Sequence, residues 1–197
     1  MRYNSLKKLK PLLRVTSFTS RDAYLCGVSS ALLAYYVKQH AVDRIGRGIY
    51  RGVDAPICDD FRFEDLVLAM RKVNGGVICL VSALSLYDLT EEMTRQHWIA
   101  IKNSTRHRAT SDIKIIRMRN LELGATMIKI GHVKLPIFDR ERTIVDAFRY
   151  LSVETALKAL KLAMEKKGRE KIDLVKIKKY AKILRVNIEP YVMAMTV

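Results

Sequence analysis

The chain has 197 residues, of which 49% are hydrophobic and 28% charged, a composition typical of a folded globular protein and not of a disordered one. Its apolar run at 77–81 is far shorter than the roughly 20 residues of a membrane-spanning helix, and residues 1–15 lack the apolar core of a secretory signal. We therefore expect a cytoplasmic protein with no contact to a membrane. The three cysteines, Cys26, Cys58 and Cys79, form no C-x-x-C pair, so we predict reduced core residues rather than disulfides or a zinc site.

The net charge of +16 is concentrated at the two ends of the chain. Residues 1–52 contain ten Lys and Arg against two carboxylates, residues 155–185 contain eleven against three, and residues 53–154 are nearly neutral. Clustered basic side chains bind polyanions because they release the counterions that phosphates condense. The pattern favours a nucleic-acid partner, although solvated lysine-rich helices also explain the C-terminal block.

The N-terminal segment predicts three short helices followed by a hairpin. Leucines at helical spacing predict a first helix that ends near Pro11. A second helix is predicted between a capping hydroxyl and Gly27, and a third begins at Ser29 and runs for about ten residues. Residues 42–51 form two alternating stretches around a glycine turn. We predict a winged helix-turn-helix domain over residues 1–52.

The rest of the chain, residues 53–197, predicts a second α+β domain with a mixed or antiparallel sheet and packed helices. Residues 77–89 are apolar on most faces, which indicates a buried helix or a strand followed by one. The other predicted elements are helices over 63–73, 139–150, 153–164, 174–184 and 190–195, strands over 98–101 and 113–118, and one or two strands over 127–137.

Four segments follow one another in a specific order: RGIYR at 47–51, VSALSLYDL at 81–89, HWIAI at 97–101 and LPIFDRERTIVD at 135–146. With the winged helix before them, they resemble the AbiEi-type antitoxins of the type IV, or abortive-infection, toxin–antitoxin systems over roughly residues 6–191. The chain departs from that family's pattern at His40-Ala41, where a glycine is expected between the recognition helix and the wing.

The resemblance implies a non-enzymatic antitoxin and transcriptional autorepressor that acts in phage defence without a cofactor. Its N-terminal domain would bind operator DNA of its own operon, as a monomer that binds repeated sites cooperatively. Its C-terminal domain would counteract a nucleotidyltransferase-type toxin encoded nearby. A plain repressor without a toxin partner is an alternative with the same first domain.

Candidate DNA-binding residues lie on the predicted second and third helices and on the hairpin. Recognition helices place polar residues against base edges. The start of the preceding helix suits a phosphate, and arginines on the hairpin can enter a minor groove or hold the backbone. The candidates are Thr19, Ser20, Arg21, Ser29, Ser30, Tyr35, Lys38, Gln39, Arg44 and Arg47.

Two C-terminal helices carry lysines away from their predicted inward faces. The inward stripe of the later helix is Leu174, Ile177, Ala181 and Leu184. The lysines expected to form one positive surface, toward either the toxin or the operator, are Lys158, Lys161, Lys176, Lys178, Lys179 and Lys182.

Two polar motifs could suggest catalysis. Arg142 and Asp146 lie four residues apart on a predicted helix and can pair locally, and we interpret them, with Asp139 and Thr143, as structural. The segment Asp112-Ile113-Lys114, with Glu91 or Glu92, matches half of a metal-dependent nuclease core, and a DNA-targeted nuclease is therefore an alternative function. The four histidines have no metal-ligand spacing, and we predict no metal site.

Overall fold

The structure, a computed structural model, describes residues 2–55, 63–92, 95–107, 110–131 and 133–196. Its chain divides into two compact units, Met1–Lys72 with Lys129–Val133, and Val73–Ile128 with Lys134–Val197. Each unit combines helices with strands, which confirms the predicted α+β class. None of the helices in the described part of the chain is long and apolar enough to cross a membrane.

The first 72 residues contain four helices and three strands among the residues that are described. They are α1 (Arg2–Leu13), β1 (Phe18–Thr19), α2 (Ser20–Leu25), α3 (Ser30–Lys38), β2 (Val42–Gly46), β3 (Ile49–Gly52) and α4 (Glu64–Lys72). The strands form an antiparallel sheet in the order β1-β3-β2. The predicted helices and hairpin are present, and Pro11 lies in the last turn of α1.

Local capping explains where α2 and α3 begin. The Thr19 hydroxyl accepts a hydrogen bond from the Asp22 amide at 3.1 Å, and the Asp22 carboxylate accepts one from the Thr19 amide at 2.8 Å. The Ser29 hydroxyl caps α3 by accepting from the Leu32 amide at 3.3 Å. Caps of this kind are each worth about 1 kcal/mol. Gly27, with φ of 77°, supplies the left-handed residue between the two helices.

An apolar cluster holds α1, α2, α3 and the three strands together. Its buried members are Leu9, Phe18, Ala23, Val28, Leu33, Tyr36, Val42 and Tyr50. The sheet approaches α1 closely at Gly52, where a Cβ would lie 2.5 Å from the Leu13 carbonyl oxygen. Only glycine fits this approach between two backbones.

The remaining elements are five strands, five helices and a single 3-10 turn, again among the described residues. They are β4 (Val77–Ile78), α5 (Leu80–Leu86), β5 (His97–Lys102), β6 (Ile113–Met118), β7 (Ala125–Ile130), β8 (Val133–Phe138), α6 (Arg140–Tyr150), α7 (Val153–Glu165), the turn (Gly168–Glu170), α8 (Leu174–Leu184) and α9 (Glu189–Thr196). The strand order is β6-β5-β4-β8-β7. The sheet is mixed, since β4 pairs antiparallel with β5 but parallel with β8.

The apolar run at 77–81 is a short strand followed by the start of a helix, the second of the two predicted alternatives. Cys79 lies fully buried between them, as predicted, and its burial raises the pKa of its thiol. Cys26 is half-buried and Cys58 lies outside the described residues. The helices α5 to α9 enclose a second, larger apolar cluster.

Candidate nucleic-acid interface

The helix α3 has a buried face and an exposed face with different chemistry. Leu33 and Tyr36 are buried in the core of the unit. Its exposed residues, together with its cap and the residue after it, are small or polar and contain no carboxylate: Ser29, Ser30, Ala31, Ala34, Lys38 and Gln39. Small side chains allow the helix backbone to approach another surface closely. Four of the six are among the candidates from the sequence; the other two are alanines, which carry no binding signal of their own.

Tyr35 takes an intermediate position. Its side chain is half-buried and packs against the apolar cluster, and its ring centroid lies 5.7 Å from that of Tyr36 in an edge-to-face arrangement. Part of its surface therefore belongs to the core. Its contact with DNA stays a prediction.

Most hydrogen-bonding groups at the start of α2 have partners within the unit itself. The Thr19 hydroxyl also donates to the Asp22 carboxylate at 2.9 Å, so both partners of the capping box are engaged. The Ser20 amide donates to the Gly48 carbonyl at 2.9 Å. Arg21 is exposed and no other described residue forms an ion pair with it. A phosphate placed here would thus meet the Arg21 guanidinium rather than the capping groups.

The hairpin carries its two predicted arginines on the surface. Arg44 lies on β2 opposite Tyr50, and Arg47 lies in the two-residue turn between Gly46 and Ile49, and both arginines are exposed. The turn requires Gly48, which has φ of 72°. The bond from the Ser20 amide to the Gly48 carbonyl fastens this turn to the start of α2. No pattern in the sequence indicated that bond.

Basic side chains on the same unit are mostly exposed and unpaired with described residues. Arg51 is an exception, because it forms a 3.0 Å ion pair with Glu64. The exposed lysines and arginines among residues 6–52 are Lys7, Lys8, Lys10, Arg14, Arg21, Lys38, Arg44 and Arg47.

In the turn after α3, His40 occupies the position where the family resemblance predicts a glycine. The residue adopts φ of 53°, the left-handed conformation that a glycine would take without strain. The Ala41 amide donates to the Tyr36 carbonyl at 3.0 Å, which closes the end of α3. For a residue other than glycine, this backbone conformation costs roughly 1 kcal/mol of folding free energy.

The predicted positive surface of the C-terminal helices is smaller than the lysine count suggests. Lys176, one of the six lysines expected on this surface, is half-buried, with its Nζ 3.0 Å from Asp139 Oδ2 and 3.3 Å from Glu141 Oε2. Burial alone would lower its pKa, but the hydrogen bonds and charges of the two carboxylates outweigh burial and raise it.

Two other lysines of this set are paired locally on the surface. Lys158 lies 2.7 Å from Glu154, and Lys178 lies 3.1 Å from Glu189. The exposed lysines without an ion pair to any residue that the structure describes are Lys161, Lys179 and Lys182. Exposed pairs of this kind contribute little to stability, but they reduce the local field.

Arg142 and Asp146 form a buried ion pair, in agreement with the structural interpretation. Arg142 Nε donates to Asp146 Oδ2 at 2.7 Å, and both side chains are almost fully buried. Arg149, which the sequence analysis did not include, donates to the other carboxylate oxygen at 2.7 Å. Its spacing of three residues from Asp146 could have indicated the contact. Asp139 caps α6 by accepting from the Arg142 amide at 2.8 Å.

Two residues of the nuclease alternative, Lys114 and Glu92, have partners that are not part of a nuclease core. The ammonium of Lys114 lies 3.7 Å from the centroid of the Trp98 ring, a cation–π contact. The Glu92 carboxylate accepts a hydrogen bond from the Thr155 hydroxyl at 2.9 Å. Within the described residues, no group of three or more His, Cys, Asp or Glu side chains could hold a metal ion.

No protein-family model matches the chain, and no curated protein sequence matches it either. Its function is therefore inferred from the geometry, the charge and the order of its motifs.

Proposed function

We propose that the chain is a DNA-binding antitoxin whose first unit is a winged helix-turn-helix. The observation that carries the DNA-binding part is the order α1-β1-α2-α3-β2-β3 with the sheet order β1-β3-β2. In this arrangement α3 is the recognition helix and the β2–β3 hairpin is the wing. Both present basic residues, and α3 contains no carboxylate.

The dimensions and chemistry of α3 fit this role. An α-helix with its side chains is about 10–12 Å in diameter, and the major groove of B-DNA is about 12 Å wide, so α3 can enter it. Ser30 and Ala34 would let the helix approach the base edges, and Lys38 would reach the phosphates. With few groups able to make bidentate base contacts, most of the affinity would come from phosphates, and binding would be strongly salt-dependent.

The DNA-binding proposal is tested with the full chain and DNA from the promoter of its own operon. If about five basic residues meet phosphates, the plot of log K against log salt should have a slope near −4 to −5. The double variant Arg44→Ala/Arg47→Ala should lower the affinity by about tenfold or more and make the slope shallower by about two.

A matched control removes two positive charges from the other unit. Arg95 and Arg106 are exposed, and the variant Arg95→Ala/Arg106→Ala should bind within about twofold of the parent chain. Equal losses in the two variants would mean non-specific attraction by net charge and would contradict the proposal. Magnesium-dependent cleavage of the DNA would contradict it in favour of a nuclease.

The antitoxin part of the proposal is supported by the order of the four AbiEi-like segments, three of which lie in residues 81–146. Co-expression of the full chain with the nucleotidyltransferase-type toxin encoded beside it should restore growth. The variant Arg44→Ala/Arg47→Ala should restore growth as well when it is expressed from an unrelated promoter. Continued killing in the presence of the intact chain would leave a plain repressor as the remaining interpretation.

A further inference from the structure

A cavity of about 390 Å³ in the second unit is surrounded by arginines. It is lined by residues of β6 and α6, of the segments that follow β5 and β6, and of the end of α8. The arginines among them are Arg117, Arg119, Arg142, Arg149 and Arg185. No aspartate or glutamate belongs to the lining that the structure describes.

Backbone carbonyls hold two of these guanidinium groups in place, and one of the two, that of Arg142, also pairs with the Asp146 carboxylate. Arg117 Nη1 donates to the carbonyls of Asn103 at 2.8 Å and Thr105 at 2.9 Å. Arg142 Nη1 donates to those of Asn120 at 3.1 Å and Leu123 at 2.8 Å. A carbonyl fixes the position of a guanidinium but does not neutralise its charge.

The counter-charge at the cavity is small. Asp146 pairs with both Arg142 and Arg149, so one carboxylate serves two arginines. Arg119 and Arg185 are exposed and form no ion pair with any described residue. Five like charges around one cavity repel one another, and a bound anion would relieve that repulsion.

Arg142 has one guanidinium nitrogen, Nη2, without a strong acceptor among the described residues, although Nε and Nη1 each have one. Its side chain is almost fully buried and lines the cavity, yet the acceptor near its Nη2 is the Met118 sulfur at 3.8 Å, a weak partner. Buried charged donors are costly to leave without a strong acceptor. A phosphate oxygen in the cavity would supply one, with the planar geometry that guanidinium groups prefer.

We propose that this cavity binds a nucleoside triphosphate, with its phosphates among the arginines and its base on Tyr150. The volume lies in the range of sites for small ligands. Tyr150 also lines the cavity and is 39% exposed. The Arg149 guanidinium lies over its ring, 4.9 Å from the centroid, so a base would stack on the part of the ring that stays exposed. A polyphosphate matches the excess positive charge better than a single phosphate does. This site is independent of the proposed DNA-binding surface, which belongs to the other unit.

Isothermal titration calorimetry of the full chain with ATP, GTP, CTP and UTP at physiological ionic strength tests the proposal. The variant Arg119→Ala/Arg185→Asn should weaken binding by about tenfold or more, since it removes two charge-assisted contacts. Asparagine is chosen because Arg185 has φ of 58°, which asparagine tolerates. The control Lys161→Ala/Lys179→Ala removes the same charge from exposed positions that do not line the cavity and should change binding less than about twofold.

A separate experiment tests whether the base of the nucleotide contributes to binding. Tyr150→Ala should weaken the binding of the preferred triphosphate more than that of inorganic triphosphate, which loses only the support that the ring gives to Arg149. Equal losses in the arginine and lysine variants would overturn the proposal, as would the absence of heat with every nucleotide at about 5 mM. Binding of a single-stranded oligonucleotide or of duplex DNA at these arginines, without binding of any nucleotide, would overturn it by assigning the cavity to nucleic acid.

Discussion

Replacing Asp146 with asparagine should strongly destabilise the second unit. Each of its two carboxylate oxygens lies 2.7 Å from a guanidinium nitrogen, one of Arg142 and one of Arg149, and the carboxylate is fully buried. Asparagine has nearly the same shape but no charge. The substitution would leave the buried Arg142 without its counter-ion.

The magnitude follows from what each partner loses. Removing one member of a buried ion pair costs about 3–5 kcal/mol, which we expect for Asp146→Asn. Arg142→Met should cost less, about 2–3 kcal/mol, because Asp146 keeps its pair with Arg149 while two carbonyls lose their donor. Arg149→Ala should cost about 1 kcal/mol, since its side chain is 29% exposed.

The double variant Arg142→Met/Asp146→Asn separates a buried charge from mere loss of packing. With both charges gone, no uncompensated ion remains, so the double variant should be more stable than Asp146→Asn alone by about 1–2 kcal/mol. Independent packing effects would instead make the two losses add.

Urea denaturation followed by tryptophan fluorescence is the assay. Trp98, the one tryptophan of the chain, lies on β5 in the second unit and reports on its unfolding. The comparison requires equal m-values among the variants. A loss below about 1 kcal/mol for Asp146→Asn, or simple additivity in the double variant, would refute the reasoning.

Three further predictions concern the same unit. Gly124→Ala should cost about 2–3 kcal/mol in urea denaturation, because Gly124 has φ of 71° and a Cβ there would lie 2.6 Å from the Cβ of Arg142. Burial raises the pKa of Tyr87 to about 12 from 10.0, so the folded state holds this proton more tightly, and the free energy of unfolding should fall as the pH rises from 10 to 12. That fall should be smaller in Tyr87→Phe, measured by urea denaturation at each pH. Lys176→Met should lower the thermal midpoint, because Asp139 loses its ion pair, yet leave operator affinity within about twofold in a fluorescence anisotropy titration.

The sequence predicts the first unit well because its signals are local. Capping hydroxyls, a left-handed glycine and period-two alternation each act within a few residues, and α2, α3 and the hairpin appear where these signals place them. The bond from the Ser20 amide to the Gly48 carbonyl is different. It joins backbone groups 28 positions apart, and because no side chain takes part, the sequence does not indicate it.

The apolar run at 77–81 shows another limit. Its residues are buried whether they form a strand or a helix, so hydrophobic period alone cannot decide between the two. The outcome depends on the neighbouring strands: Ile78 pairs with Ile99 on one side and with Ile137 on the other, partners that lie 21 and 59 residues away. The chain then turns into α5 at Leu80, which has φ of 49°.

Charge summed along the sequence misplaces the positive surfaces of the second unit. The C-terminal block carries the excess of lysines, yet Lys176 is held between the carboxylates of Asp139 and Glu141, which belong to the nearly neutral middle of the chain. Because these two carboxylates pair with Lys176, their charge is compensated by the C-terminal block rather than by the arginines of the middle segment. Among these arginines, Arg117 is held by backbone carbonyls, while Arg142 and Arg149 share the single carboxylate of Asp146, so an excess of positive charge remains at the cavity. The electrostatic potential at a site depends on which carboxylates fold beside which cations, and a segment without net charge can therefore contribute the groups that bind an anion.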